Sequence, residues 1–574
     1  MMDRSRRRLL FLVFSLSAFF VALEVRLFHL QVIAHPEVGP RVETSHRKVE
    51  TAVAARGRIL TRHGYVLAES LPAVDVYADS RWTEGHREEI GARLSALLDV
   101  PREEVDSRLE RPGYVRVLRR PLADGERLVA LRRAKRDLEL PGVDLEETTV
   151  RRYPEGPLAA HVVGFIDLEG RGQAGVERAF DQTLQGSAGR TVVERDALQR
   201  PLFGLECAEV KPTPGADVRT TLDVVLQYFT EEAIDRVMEE HAPSWASIVV
   251  LDPRRGDLLA CASRPTYDPN RYGASPIDHH ANRATSYHYT PGSTFKPFMM
   301  ATVLDSAAAR LDEEIDCRSL RYRGRTVHDS HPNGVLTVPE VVIESSNIGI
   351  AKLALRLVPD ASHAKAVRQT AFRRIHDTFS SLGFGRPTGI RLPAEASGTL
   401  RNVRSWTPQY TLVSMAFGHE VSVTPLQLAA AFSVFATGGV YHAPRVVDAI
   451  VDADGVERPA PRGPSRRVFD YETAEDVRQM LVRAVEEGTG ERARSDRFLI
   501  AGKTSTAEWD TDRRKKTSSF AGFAPADDPR LLVVVVVDRP TRNGHSGGRV
   551  AAPAAKEILE RGLTYLSVPP SMRK

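Results

Sequence analysis

The stretch Tyr289-Thr-Pro-Gly-Ser-Thr-Phe-Lys-Pro-Phe-Met-Met300 decides how the rest of this chain is read. Pro291-Gly292 breaks the backbone, and Phe295, Phe298, Met299, Val303 and Leu304 then follow at helical spacing. Ser293 therefore stands at a helix start, with Lys296 one turn later on the same face. A serine hydroxyl needs a base to become a nucleophile, and a desolvated neutral lysine can serve. The helix amino terminus favours the negative charge that develops. Taken alone the tetrapeptide is weak evidence, since a capping serine followed by a surface lysine is commonplace.

Two further stretches sharpen the reading. Ser345-Ser346-Asn347 opens an apolar pattern of Ile348, Ile350, Ala351, Leu353 and Ala354. A hydroxyl and an amide two residues apart can point into one cleft, while the plainer reading is a helix cap. Lys503-Thr504-Ser505-Thr506-Ala507 falls on a strand expected over Phe498 to Ala507. A strand edge can pair with an extended acyl substrate. The lysine and hydroxyl can hold a carboxylate, and the Thr506 N–H can join that of Ser293 in an oxyanion hole. The order Ser-x-x-Lys, Ser-x-Asn, Lys-Thr-x, with gaps of about 50 and about 155 residues, is far more specific than any one part.

Outward from these motifs the chain reads as an α/β domain. A helix is expected over Leu222 to Glu240, and a hairpin joins Ser247–Leu251 to Leu258–Ala262 around Pro253-Arg-Arg-Gly256. Strands Phe498 to Ala507, Ser519 to Ala524 and Leu531 to Asp538 precede a helix over Ala552 to Leu563. The sheet is thus built from both ends of the segment. Upstream, Arg56-Gly-Arg-Ile-Leu60 and Arg62 to Leu67 read as two short extended pieces about Gly64. Residues 83–140 carry Arg, Glu and Leu at helical spacing, with one helix over Glu88 to Leu98, and 151–200 read as Gly-rich loops. Lys211-Pro-Thr-Pro-Gly215 reads as a linker.

Arg4, Arg6, Arg7 and Arg8 precede an apolar run from Leu9 to Leu23. Continued through Leu30 it forms a helix of ~33 Å, enough to span a bilayer. The basic cluster places the amino terminus inside. The small-x-small triplet Ser15-Leu-Ser17 lies within the run, too early for a cleavage site, which favours an uncleaved anchor over a signal peptide.

Composition excludes other classes. At 574 residues, 42% hydrophobic and 27% charged, the chain is no disordered polymer. A mean hydropathy of -0.28 excludes a polytopic membrane protein. The net charge of +4 is a small difference between 79 basic and 75 acidic residues and leaves no nucleic-acid footprint. Cys207, Cys261 and Cys317 form no Cys-x-x-Cys pair, so no zinc knuckle is expected. His279-His280 are adjacent and would not converge on one metal ion. Gly170-Arg-Gly172 followed by Gly175 has the wrong spacing for a phosphate loop. Lys515-Lys516 beside Arg513-Arg514 reads as a solvated loop between strands.

The motif set resembles that of the class B penicillin-binding proteins, closest to the division-specific, septal transpeptidases, over nearly the whole chain. Arg56-Gly-Arg-Ile-Leu-Thr-Arg-His-Gly64, Arg152-Tyr-Pro-Glu-Gly156, Ala160-His-Val-Val-Gly-Phe165 and Gly175-Val-Glu177 are similar to boxes of the family's pedestal domain. Pro265-Thr-Tyr-Asp-Pro-Asn270 and Asn282-Arg283 precede Ser293 as in that family, and Thr424-Pro-Leu-Gln427 and Gly488-Thr-Gly490 are also similar to its boxes. His331-Pro-Asn-Gly334 before Ser345 looks more septal than elongation-type.

The resemblance implies an α/β (α+β) penicillin-binding transpeptidase fold, with a central antiparallel sheet flanked by helices. It implies a cytoplasmic tail over 1–8, a transmembrane anchor over 9–30, an elongated dimerisation-type pedestal over 31–214, a transpeptidase domain over 215–566 and a tail over 567–574. Ser293 would be the acylated nucleophile, Lys296 its general base and Ser345 a proton relay to the departing amine. Ser346, Asn347, Lys503, Thr504, Ser505 and Thr506 would bind the donor, with Lys503 and Thr504 on its terminal carboxylate. The reaction implied is D,D-transpeptidation of peptidoglycan stem peptides in septal wall synthesis, inhibited by β-lactams, with no metal or organic cofactor. Expected partners are a separate membrane glycosyltransferase of the shape, elongation, division and sporulation type and other division proteins. The expected location is the bacterial cell membrane, single-pass, with the catalytic domain outside the cytoplasm. The rivals are a D,D-carboxypeptidase or β-lactamase-like hydrolase, and a non-catalytic division scaffold or β-lactam sensor. Ser505, where the family carries Gly, is the motif feature that favours the scaffold or sensor. A glycine lets substrate backbone approach the strand closely, and a serine adds a hydroxymethyl group there. Thr61 also replaces the acidic residue usual in the first box, with little effect expected.

Overall fold

The structure is a computed structural model that describes residues 4–34, 47–121, 129–130, 133–134, 140, 142–194, 209–322, 324–358, 365–406, 410–508 and 515–571. Cys207, Arg513 and Arg514 lie outside the described residues. The apolar amino-terminal run is a helix over Arg4–Phe28 that continues as a wider turn to Ile33. Its large side chains stand exposed, Phe11 at 72% and Phe14 at 73%. Among the described residues, Arg6–Ile33 is the stretch long and apolar enough to cross a membrane.

The rest forms two compact units, and a single cut near residue 214 does not separate them. One comprises Met1–Ala55, Leu71–Val150 and Gly186–Pro214; the other comprises Arg56–Ser70, Arg151–Gln185 and Gly215–Lys574.

In the first unit, helices Arg87–Leu98 and Arg102–Leu109 bury Ile90, Leu94, Val105 and Leu109 with Val74, Val76 and Val117. Val117 belongs to a strand, Tyr114–Pro121, that pairs antiparallel with residues 73–79. The helical reading of 83–140 is corrected there. Val115 and Val117 alternate with arginine, a period of two too short to stand out among the surrounding charged helices. The loop reading of 151–200 is corrected too, by short helices Ala160–Val163, Gly175–Ala179 and Asp181–Gln185 and a strand Gly189–Glu194. Glycines punctuate this region because the backbone needs them. A Cβ on Gly164, at φ +83°, would lie 1.8 Å from the Ala174 carbonyl oxygen.

The second unit is built on a five-stranded sheet. Its strands are β1 (Trp245–Asp252), β2 (Asp257–Arg264), β3 (Ala501–Glu508), β4 (Lys516–Ala524) and β5 (Leu531–Asp538). The order is β2-β1-β5-β4-β3, antiparallel throughout, so the hairpin pairs with strands nearly 300 residues later. Both faces of β5 are covered, which is why Leu531–Val537 reads as an unbroken apolar run. Ile248, Val250, Val533 and Val535 pack on one face with helices α1 (Val224–His241) and α6 (Ala552–Tyr565). Val249, Leu251, Val534 and Val536 belong to the core on the other face. Helices α2 (Lys296–Asp305), α3 (Asn347–Leu355), α4 (Pro425–Ala436) and α5 (Tyr471–Glu486) complete that layer. Asp223 caps α1 by accepting from the Val225 and Leu226 amides.

Segments 56–70 and 151–185 belong to this unit and are held to each other by a buried charge cluster. Glu177 accepts from Arg56 Nε and from Arg151 Nε, both at 2.7 Å, with its side chain wholly buried. The arginines are equally withdrawn, at 6% and 2% exposed.

Candidate active site

Ser293 lies in the tight turn Gly292–Phe295, directly before α2. Gly292 has φ +56°, a conformation glycine adopts without penalty. The turn is fixed from below by Phe295 and Phe298, whose rings lie 4.9 Å from Phe379 and 5.4 Å from Phe384. The half-buried Ser293 hydroxyl is thus carried on a rigid, aromatic-backed element.

Lys296 is the first residue of α2 and is fully buried. Its Nζ donates to the backbone oxygen of Ser345 and, at 3.1 Å, to Ser345 Oγ. Burial, with the nearby Lys503 ammonium adding to it, holds this amine well below its ordinary value, while Asp329 pulls the other way. A buried amine held below its ordinary value and bonded to the Ser345 hydroxyl, one helical turn after Ser293, is suited to proton transfer.

Ser345 sits at φ +59°, in the left-handed region, between helix Val338–Ile343 and α3. A non-glycine residue held there stores about 1–3 kcal/mol of strain, a common feature of active sites. Ser346 is the expected cap, accepting from the Gly349 amide at 2.9 Å. Its hydroxyl donates to Asp329 Oδ2 at 2.7 Å. Asp329 Oδ1 also accepts from the amides of Asn347 and, at 2.9 Å, Ile348. Asn347 Nδ2 donates to the His328 carbonyl at 2.9 Å. The cap reading of this motif holds at Ser346, while Ser345 Oγ lies beside Lys296 Nζ.

Strand β3 is the edge of the sheet, and its side chains alternate. Lys503 and Ser505 face one side, Thr504 and Thr506 the other. Lys503 is buried, which pushes its amine down to about 7 against the opposing pull of Glu344. Lys503 Nζ and Thr504 Oγ1 both donate to Thr489 Oγ1, at 3.0 and 2.9 Å. One hydroxyl thus gathers two groups that strand geometry sends to opposite faces. Thr506 Oγ1 accepts from the Gly547 amide at 3.0 Å. Ser505 Oγ accepts from the Ser293 amide at 2.9 Å. The three motifs are thereby joined, the second to Lys296 and the third to Ser293.

One participant escaped the sequence reading of the site, and another was marked only within a family box and given no role. Asp329 precedes the Ser-Asn motif by 17 residues, and Thr489 precedes Lys503 by 14. Each sits in a polar loop with no periodicity to mark it. His279 and His280 contribute to structure: the His279 carbonyl meets His161 Nε2 at 2.9 Å, and the His280 ring packs 4.6 Å from Tyr267. A separate cavity of about 550 Å³ opens beside Ala507 and Glu508, lined by Trp245, Arg283, Tyr289 and Ser422. Ser293, Lys296 and Ser345 are not in its wall.

Residues 246–560 match the penicillin-binding protein transpeptidase domain, and 51–220 match the penicillin-binding protein dimerisation domain. The chain is 32% identical to the probable peptidoglycan D,D-transpeptidase PenA of Neisseria meningitidis, over 99% of this chain and 94% of that one. It is 28% identical to the peptidoglycan D,D-transpeptidase FtsI of Escherichia coli, over 95% and 89%. Among solved structures, penicillin-binding protein 3 of Mycobacterium tuberculosis complexed with aztreonam is 26% identical, with a TM-score of 0.68 over 91% of this chain and 98% of that one. A peptidoglycan synthetase from Bifidobacterium adolescentis shares the fold, with a TM-score of 0.73 at 24% identity over 92% and 98%. Matched by both domain families in order and aligned with PenA from end to end, the chain belongs to the class B penicillin-binding proteins.

Proposed function

We propose that this protein is a serine-type peptidoglycan D,D-transpeptidase that cross-links D-alanyl-D-alanine stem peptides during septal wall synthesis. One observation carries the reading above all. Hydrogen bonds join Lys296 to Ser345 and Ser293 to Ser505, bringing three distant motifs to a single nucleophile.

Ser293 Oγ attacks the carbonyl carbon of the penultimate D-alanine, and its proton passes to Lys296 Nζ. Ser345, hydrogen-bonded to that amine, relays the proton to the departing D-alanine. Asn347 binds the donor peptide, and Ser346 supports it through Asp329. Lys503 and Thr504 hold the terminal carboxylate beside Thr489, and the Thr506 N–H joins the Ser293 N–H on the oxyanion. The acyl-enzyme is then resolved by an amine of a neighbouring stem peptide. β-Lactams acylate Ser293 in the donor's place, and the aztreonam complex of the Mycobacterium tuberculosis relative supports this. Likeness to FtsI supports division as the setting.

In sequence the domain reading is a pedestal over 31–214 and a transpeptidase domain over 215–566, with 56–70 and 151–185 packed into the unit of the second. The exposed apolar helix supports a single-pass anchor in the bacterial cell membrane, with the catalytic domain outside the cytoplasm. The polymerised glycan strand then comes from a separate membrane glycosyltransferase among the division proteins.

Fluorescent penicillin labelling of the full chain in detergent tests the reading. Wild type is expected to retain label for hours, and Ser293→Ala to take up none at an unchanged melting temperature. Rapid turnover of the penicillin would point to a hydrolase instead. Absence of label on folded wild type would leave the non-catalytic scaffold.

A further inference from the structure

On β3, Ser505 points at the turn that carries the nucleophile and is only 3% exposed. Its Oγ accepts the Ser293 N–H at 2.9 Å. A Cβ built on Gly292 would lie 2.4 Å from that same oxygen and 3.2 Å from Ala507 Cβ, so the hydroxyl fills the space directly under the turn. When Ser293 attacks a carbonyl, the π electrons move to the carbonyl oxygen, and backbone N–H donors must meet the oxyanion. The amide of Ser293 is such a donor, and in this structure it is already engaged.

We propose that Ser505 is a latch on the oxyanion donor, its hydroxyl holding the Ser293 amide in the resting enzyme and releasing it before the tetrahedral intermediate forms. The proposal rests on the acyl-enzyme reading above. Ser505 makes and breaks no covalent bond. Ser293 Oγ forms the new C–O bond, the scissile C–N bond breaks, and the proton moves from Ser293 through Lys296 to the leaving nitrogen. Ser505 changes only the standing of the donor before that sequence begins. It is a positioning residue whose effect belongs to the acylation step and not to capture of the ligand.

The test is a concentration series of fluorescent penicillin on the full chain in detergent, resolving the limiting acylation rate from the half-saturating concentration. Ser505→Gly and Ser505→Ala are expected to raise the limiting rate about threefold to tenfold, the worth of one neutral hydrogen bond. The half-saturating concentration is expected to stay unchanged. Ser505→Thr keeps the hydroxyl and should stay slow. Three outcomes overturn the latch: no acceleration in Gly and Ala, acceleration in Gly alone, which would indict the Cβ instead of the hydroxyl, or a Thr variant as fast as Ala. Ser293→Ala run beside them keeps the two ideas apart, since label persisting there would sink the acyl-enzyme reading whatever Ser505 does.

Discussion

Lys296 and Lys503 show how burial alone prepares a reactive pair. Taking an ammonium out of water disfavours the cation, and a second ammonium nearby disfavours it further. For Lys296 burial comes first and Lys503 second, with Asp329 opposing. The limiting acylation rate is therefore expected to rise with pH along an acid limb well below 10.5 and then to level off. A pH–rate profile of penicillin labelling checks this, and a limb near 10.5 would remove Lys296 as the base. Lys503→Ala removes a like charge, which raises the Lys296 value and moves the limb to higher pH. Because burial pushes the Lys503 amine down to about 7, that displacement is expected to be largest on the acidic side. At this scale the sequence was informative wherever spacing carried the chemistry, as with Ser293 and Lys296. It was silent on Asp329 and gave Thr489 no role beyond its box, since both act through folds of the chain that no local pattern encodes.

The start of α3 is the element on which the second motif depends. Asp329 accepts from the Ser346 hydroxyl and from the amides of Asn347 and Ile348, so a carboxylate from a distant loop completes the helix cap. Asp329→Ala would strand these donors and is expected to cost about 1–3 kcal/mol. The denaturant midpoint should fall and penicillin labelling should slow together. An unchanged midpoint would show that water replaces the carboxylate freely. Elements with strong periods were legible: the hairpin β1–β2, the apolar β5 and helix α1 fall within a few residues of their expected ends. The strand Tyr114–Pro121 was not, because its pairing partner, and not its composition, decides its conformation.

Across the whole molecule, the cluster of Arg56, Arg151 and Glu177 ties together two stretches, 56–70 and 151–185, that belong to the catalytic unit. Removing the acid leaves the buried Arg151 guanidinium without its carboxylate and Arg56 with Asp181 alone, so Glu177→Ala is expected to destabilise by about 3–5 kcal/mol. Denaturant unfolding followed by circular dichroism measures it, and a loss under 1 kcal/mol would mean the arginines reach water unaided. The sequence marked Arg56 and Glu177 within boxes, though not Arg151, and assigned all three upstream of a cut near 214, since linear spacing cannot reveal that a chain leaves a unit and returns to it. The same logic applies to the central sheet. Strands β1 and β2 carry no catalytic residue, and β3, which brings Lys503 and Ser505, arrives only after residue 500. A growing chain therefore displays Ser293 and Lys296 long before the edge strand that completes their site exists. A polypeptide cut short of β3 is therefore expected to carry its nucleophile unarmed and to take up no fluorescent penicillin.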